Sequence, residues 1–112
     1  MRALALEEAQ MAEFRKVART EDVPAGRGKM VKIGGKRFAL FNVDGTYYAI
    51  DDTCPHRGGP LSEGEVAGTT VTCSWHRSRF DLKTGDVVNP PAEVGVSPYN
   101  VRVVGNDVEI EI

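Results

Sequence analysis

The 112-residue chain holds two cysteines and two histidines, and they fall in two short segments. Cys54 and His56 stand in CPHRGG, Cys73 and His76 in CSWH, and sixteen residues separate His56 from Cys73. Every strong soft or borderline metal ligand of the chain therefore sits in one of two tight pairs, each with one thiol and one imidazole. A fold that uses these pairs has to bring both segments to one place. Sixteen residues leave room for one loop, a short strand pair and a turn, which lets the two segments lie side by side.

The surrounding pattern is that of short β segments broken by turn chemistry. FRKVA opens, TEDVPAGRG is a loop, and MVKI and KRFALFNV flank Gly34-Gly35, a good hairpin turn. Asp44-Gly45 leads into TYYAI, so this part reads as an antiparallel meander. After Ile50, Gly, Pro, Ser and Thr crowd the chain for about forty residues. The strands expected there are TTVTC, RFDL and DVV, with a turn at Thr84-Gly85, and Pro90-Pro91 blocks ordinary strand pairing. YNVRVV and DVEIEI close the chain as a hairpin around Gly105-Asn106. Both ligand pairs follow β segments, so each projects from a loop anchored on a strand.

Length predicts one domain with a single core. Hydrophobic residues at 41% and charged residues at 27% match ordinary globular chains, and a net charge of −2 gives no reason to expect nucleic acid or an anionic membrane as partner. Residues 1–12 are rich in Ala, Leu, Glu and Gln and read as an N-terminal extension, with residues 13–112 as the folded domain. Glu7 and Glu8 stand where a secretory signal would be apolar, so a cytoplasmic protein is expected. In a reducing compartment, a Cys54–Cys73 disulfide ranks below metal binding, because it leaves the two adjacent histidines unexplained.

Zinc is the competing metal, since two cysteines and two histidines are a standard tetrahedral set. The usual zinc spacing pairs cysteine with cysteine and histidine with histidine. Here each loop offers one of each, and only Pro55 separates Cys54 from His56. Chelation of one ion by such close neighbours is awkward, whereas a binuclear centre lets each residue take its own metal.

With their flanks, CPHRGGPLSEGEV, CSWHRSRFDLKTGDV and NPPA resemble the Rieske iron–sulfur motif across residues 51–92. The likeness of the β framework extends from about Phe14 to Ile112. The resemblance implies an all-β fold, an antiparallel framework of sandwich or barrel type with a small cluster-binding subdomain inserted at about 51–92. It implies one [2Fe–2S] cluster per chain, with Cys54 and Cys73 as thiolate ligands of one iron and His56 and His76 as imidazole ligands of the other. Two ferric ions, two sulfides and two thiolates sum to zero charge, against −2 for a four-cysteine cluster, so reduction is easier and the potential higher.

The same resemblance assigns expected surroundings. Ser78 stands where high-potential members place a hydroxyl donor to a cluster sulfur, with an ordinary turn residue as the alternative; Phe80 stands where those members have tyrosine. Arg57, Arg77 and Arg79 either form a basic rim for an acidic partner or are solvated surface charge. Gly58 and Gly59 suit a ligand loop, Leu61 with Pro90 and Pro91 resembles the apolar cover of the cluster, and Trp75 packs near the site or fills the core.

The chain lacks the extra loop cysteines and membrane anchor of the respiratory Rieske proteins and resembles soluble, oxygenase-associated ferredoxins. Both histidines are committed, so no mononuclear iron site, nucleophile–base pair or nucleotide-binding glycine motif can be assembled. The expected function is that of a one-electron carrier, not an enzyme, with no small-molecule substrate of its own. Its expected partners are a flavin-dependent reductase and a terminal oxygenase. The alternatives are the small subunit of an assimilatory NAD(P)H nitrite reductase and, in a different class, a structural zinc-binding interaction module.

Overall fold

The computed structural model describes residues 13–54, 59–74, 77–89 and 95–112; the expected extension at residues 1–12 lies outside them. Eleven β-strands form three sheets, and every pairing among the described residues is antiparallel. The first sheet is β1 (Phe14–Arg19), β11 (Asp107–Glu111) and β10 (Val101–Val104), in that order. The second runs β2 (Gly28–Ile33), β3 (Lys36–Val43), β4 (Thr46–Asp51) and β9 (Pro98–Tyr99). The third is a small sheet of β5 (Glu65–Ala67), β6 (Thr70–Thr72), β7 (Arg79–Asp81) and β8 (Val87–Asn89).

Turn chemistry sets the meander. Gly34 and Gly35 have φ of 59° and 86°, and Asp44 and Gly45 of 51° and 89°. Positive φ at both central residues is what a primed two-residue hairpin turn requires, and its twist matches that of the strands it joins. Two features differ from the sequence expectation, and a third is one it leaves open. Glu65–Ala67 forms an additional strand. The expected YNVRVV strand breaks at Asn100, so that Tyr99 pairs with Ala49 in the second sheet while Val101 pairs with Ile110 in the first. The first strand pairs with the last, Phe14 opposite Glu111.

The second sheet is the middle layer, and strand alternation shows it. Phe38 and Leu40 of β3 and Ala49 of β4 join Ala18, Val23, Val31, Val108 and Ile110 in one buried cluster against the first sheet. Ala39 and Phe41 of β3 and Ile50 of β4 join Leu61, Val71, Phe80, Leu82 and both cysteines in a second cluster, against the small sheet. This accounts for the unbroken apolar run Phe38-Ala39-Leu40-Phe41, because a strand buried on both faces needs no polar alternation. Gly28 lets a 3₁₀ turn at Leu61–Glu63 approach the edge strand: a Cβ there would meet Phe41 Cε1 at 2.5 Å and the Ser62 carbonyl oxygen at 2.6 Å. Among the described residues, no helix is long and apolar enough to cross a membrane.

Candidate metal centre

Each cysteine stands at the start of a loop that leaves a strand and is hydrogen-bonded shut at its base. The backbone N–H of Cys54 donates to the Gly59 carbonyl at 2.8 Å, and that of Cys73 to the Ser78 carbonyl, also at 2.8 Å. The spacing is five residues in both loops. Below the first loop, Thr53 bridges Pro60 and the Leu61 N–H donates to the Asp52 carbonyl at 2.6 Å. In the second, the Arg77 N–H returns to the Cys73 carbonyl at 2.8 Å, and Arg77 takes φ of 66° to make that turn. A left-handed conformation is uncommon for a residue with a Cβ.

The cysteines are 1% and 0% exposed, belong to one apolar cluster, and are not joined by a disulfide. Two thiols buried in one cluster are soft donors, and such donors suit iron–sulfur or zinc chemistry over hard oxygen-seeking cations. Leu61, Ile50 and Phe80 pack in the same cluster, so the sulfurs lie in a weakly solvating environment. A centre whose inorganic core and thiolates sum to zero charge fits that environment better than a strongly charged one. Ser78 is fully buried opposite Cys73 at the loop base, while Arg77 is exposed and Arg79 half-buried. His56, Arg57, Gly58, Trp75, His76, Pro90 and Pro91 lie outside the described residues.

Two carboxylates missed by the sequence reading organise the approach to the first loop. Asp52 is 2% exposed, and its Oδ1 accepts the Ser62 N–H at 2.8 Å, holding the 3₁₀ turn against the strand end. Asp51 ties in the chain that follows Pro90-Pro91: its Oδ2 accepts the Ser97 N–H at 3.1 Å and its Oδ1 the Tyr99 hydroxyl at 2.7 Å. Lys36 Nζ donates to the Tyr99 oxygen at 2.7 Å and lies 3.4 Å from Asp51 Oδ1. That hydrogen bond to Tyr99, outweighing a small burial penalty and aided by the Asp51 charge, holds the Lys36 ammonium above its usual value; burial raises the Tyr99 phenol. Val96 meanwhile donates to the Gly85 carbonyl at 2.8 Å, so the same segment is fastened to the small-sheet subdomain as well. An Asp pair directly before a ligand loop was the signal available, but the partners lie ten and more residues away.

A three-layer β protein with paired thiols on two matched loops is a metal-centre carrier built on a β framework. The model of the Rieske [2Fe-2S] domain family matches residues 13–100, and the chain belongs to that family. Its cofactor is a [2Fe–2S] cluster. The biphenyl dioxygenase ferredoxin subunit of Pseudomonas sp. (strain KKS102) is 36% identical over 99 residues, 88% of this chain and 91% of that protein. The solved Sphingomonas yanoikuyae B1 ferredoxin superposes with a TM-score of 0.83 at 26% identity, over 89% of this chain and 99% of the other. A putative small subunit of an NADPH nitrite reductase superposes at 0.78 with 26% identity, over 88% and 97%. The expected all-β Rieske fold and cofactor are those found. The protein is a Rieske-type ferredoxin, an electron-transfer component and not itself a catalyst.

Proposed function

We propose that Cys54 and Cys73 bind one iron of the cluster and His56 and His76 the other, and that the protein carries single electrons from a flavin-dependent reductase to a terminal oxygenase. The observation that carries the ligand assignment is the pair of buried thiols on loops closed at identical spacing, each loop holding one of the chain's two histidines. The bound cluster supplies a site that takes up and gives up one electron. The chain supplies everything else. Leu61 and Phe80 pack with both cysteines and shield the thiol side from water; Pro90 and Pro91 are assigned to the apolar cover by the family resemblance alone. The fully buried Ser78 is the hydroxyl positioned to stabilise added negative charge. Arg57, Gly58 and Trp75 belong to the proposed surroundings of the cluster by their places in the family motif alone. Cytoplasmic placement belongs to the same proposal.

Between an oxygenase ferredoxin and a nitrite reductase small subunit, the sequence relatives favour the former, being ferredoxin components of dioxygenase systems, at 36% identity over 88% of this chain in the biphenyl case, while the superposed ferredoxin and nitrite reductase structures stand level at 26%. A structural zinc module is separated from both by metal analysis of freshly purified protein. About two irons and two acid-labile sulfides per chain are expected; one zinc per chain and no sulfide would end the carrier reading.

A further inference from the structure

The stretch from residue 23 to residue 43 contains five cations, Arg27, Lys29, Lys32, Lys36 and Arg37, and no acidic residue, in a chain whose net charge is −2. It forms the β2–β3 hairpin, and its two faces treat their charges differently. On the framework face, Lys36 is neutralised by Asp51 and hydrogen-bonded to Tyr99. Arg37 shares its face with Ala39 and Phe41, the side that carries the ligand loops, and Lys32 and Met30 are the direct cross-strand partners of Arg37 and Ala39. Lys32, Arg37 and Met30 are all exposed, and among the described residues neither cation has an ion-pair partner.

Like charges placed directly opposite each other across two strands are destabilising. Lysine on an edge strand guards against sheet-to-sheet aggregation, and β2 is an edge strand, so Lys29 and Lys32 have that explanation. Arg37 does not, because β3 is an inner strand and its cation faces Lys32. Arg37 also borders the approach to the first ligand loop. It lines an open recess with Thr53, the residue before Cys54, and with Lys36 and Asp51, whose charges are already paired with each other, and the Arg37 carbonyl accepts the Asp52 N–H at 3.4 Å.

We propose that Lys32, Arg37 and Met30 form a docking surface for an acidic patch on the oxygenase that accepts the electron, a proposal that rests on the carrier function above. Arg37, next to Thr53 at the approach to the first ligand loop, and Lys32 across the strand from it, both without an ion-pair partner among the described residues, steer a carboxylate-rich surface toward that end of the molecule, and the exposed, adaptable Met30 gives apolar contact once the surfaces meet. The self-repulsion of the pair is relieved when the partner's carboxylates arrive.

The test uses cluster-loaded protein, reduced with dithionite, and follows its reoxidation by stopped flow. The oxidants are the oxygenase component of its own system, the anion hexacyanoferrate(III) and the cation tris(1,10-phenanthroline)cobalt(III). For Lys32→Gln/Arg37→Gln, the rate with the oxygenase is expected to fall ~10-fold at low ionic strength and to converge on the parent rate at high salt. The anion is slowed, the cation is not, and Lys36→Gln leaves the oxygenase rate within about twofold of the parent. Arg37→Gln alone is expected to melt no lower than the parent, because a repulsion has been removed. Equal oxygenase rates for parent and double variant at low salt overturn the proposal, even if the small anion is slowed. Failure of the carrier reading looks different: the unmodified protein then passes no electron to the oxygenase at any salt.

Discussion

Gly28 shows how much of the cluster region rests on single residues. Its missing side chain lets the Ser62 carbonyl and the Phe41 ring close on β2, and a carbonyl held in a turn moves less easily than a side-chain tip. Gly28→Ala is therefore expected to cost about 1–3 kcal/mol in denaturant unfolding, with faster loss of the cluster's visible absorbance on warming; an unchanged midpoint would show that the 3₁₀ turn does not pack as described. At this scale the candidate donors can be proposed from sequence, because a thiol or imidazole carries its chemistry in its own side chain; the structure adds the burial of Cys54 and Cys73. The burial of Asp52 and its bond to the Ser62 N–H were not legible in sequence, because an aspartate in a loop reads as a solvated turn residue until the chain ten positions on is placed over it. Likewise Ser78 carries two readings in sequence, and its full burial separates it from an exposed turn hydroxyl.

At the scale of elements, β3 links the two halves of the molecule. Leu40 packs only into the framework cluster and Phe41 only into the cluster containing the cysteines. Leu40→Ala and Phe41→Ala are each expected to lose about 2–5 kcal/mol of stability. Only Phe41→Ala should also hasten iron release at temperatures where the fold persists, as measured with a ferrous chelator; equal release from both variants would contradict the division of the core. The meander was legible because Gly34-Gly35 and Asp44-Gly45 are hairpin signals between apolar runs. The strand at Glu65–Ala67 was not, since three residues with a single large apolar side chain show no period. Nor was the break at Asn100, because both halves of YNVRVV have strand character and the switch between sheets depends on the separate partners Ala49 and Ile110.

The described residues form three sheets stacked so that the middle one buries both faces, with the first and last strands paired in the outer sheet. Pairing of Phe14 with Glu111 joins positions about a hundred residues apart, and no local pattern announces it. The Lys36–Tyr99–Asp51 link joins the hairpin, the end of β4 and the segment behind the diproline, and it gives stability a pH dependence. Lys36 and Tyr99 both hold their protons more tightly in the folded state than at their ordinary 10.5 and 10.0. Their stabilisation is thus complete below about pH 10 and is lost as pH rises through the folded values. Tyr99→Phe is expected to cost about 1 kcal/mol at neutral pH through its lost hydrogen bonds and to flatten the alkaline fall in melting temperature; an alkaline fall as steep as the parent's would contradict the link. The central claim, that thiolates and imidazoles divide between two irons, is tested most directly by electron paramagnetic resonance of the intact, freshly reduced protein. A rhombic signal with an average g-value below that of an all-thiolate [2Fe–2S] centre is predicted; a spectrum of the all-thiolate kind, or none from fully reduced protein, would contradict it.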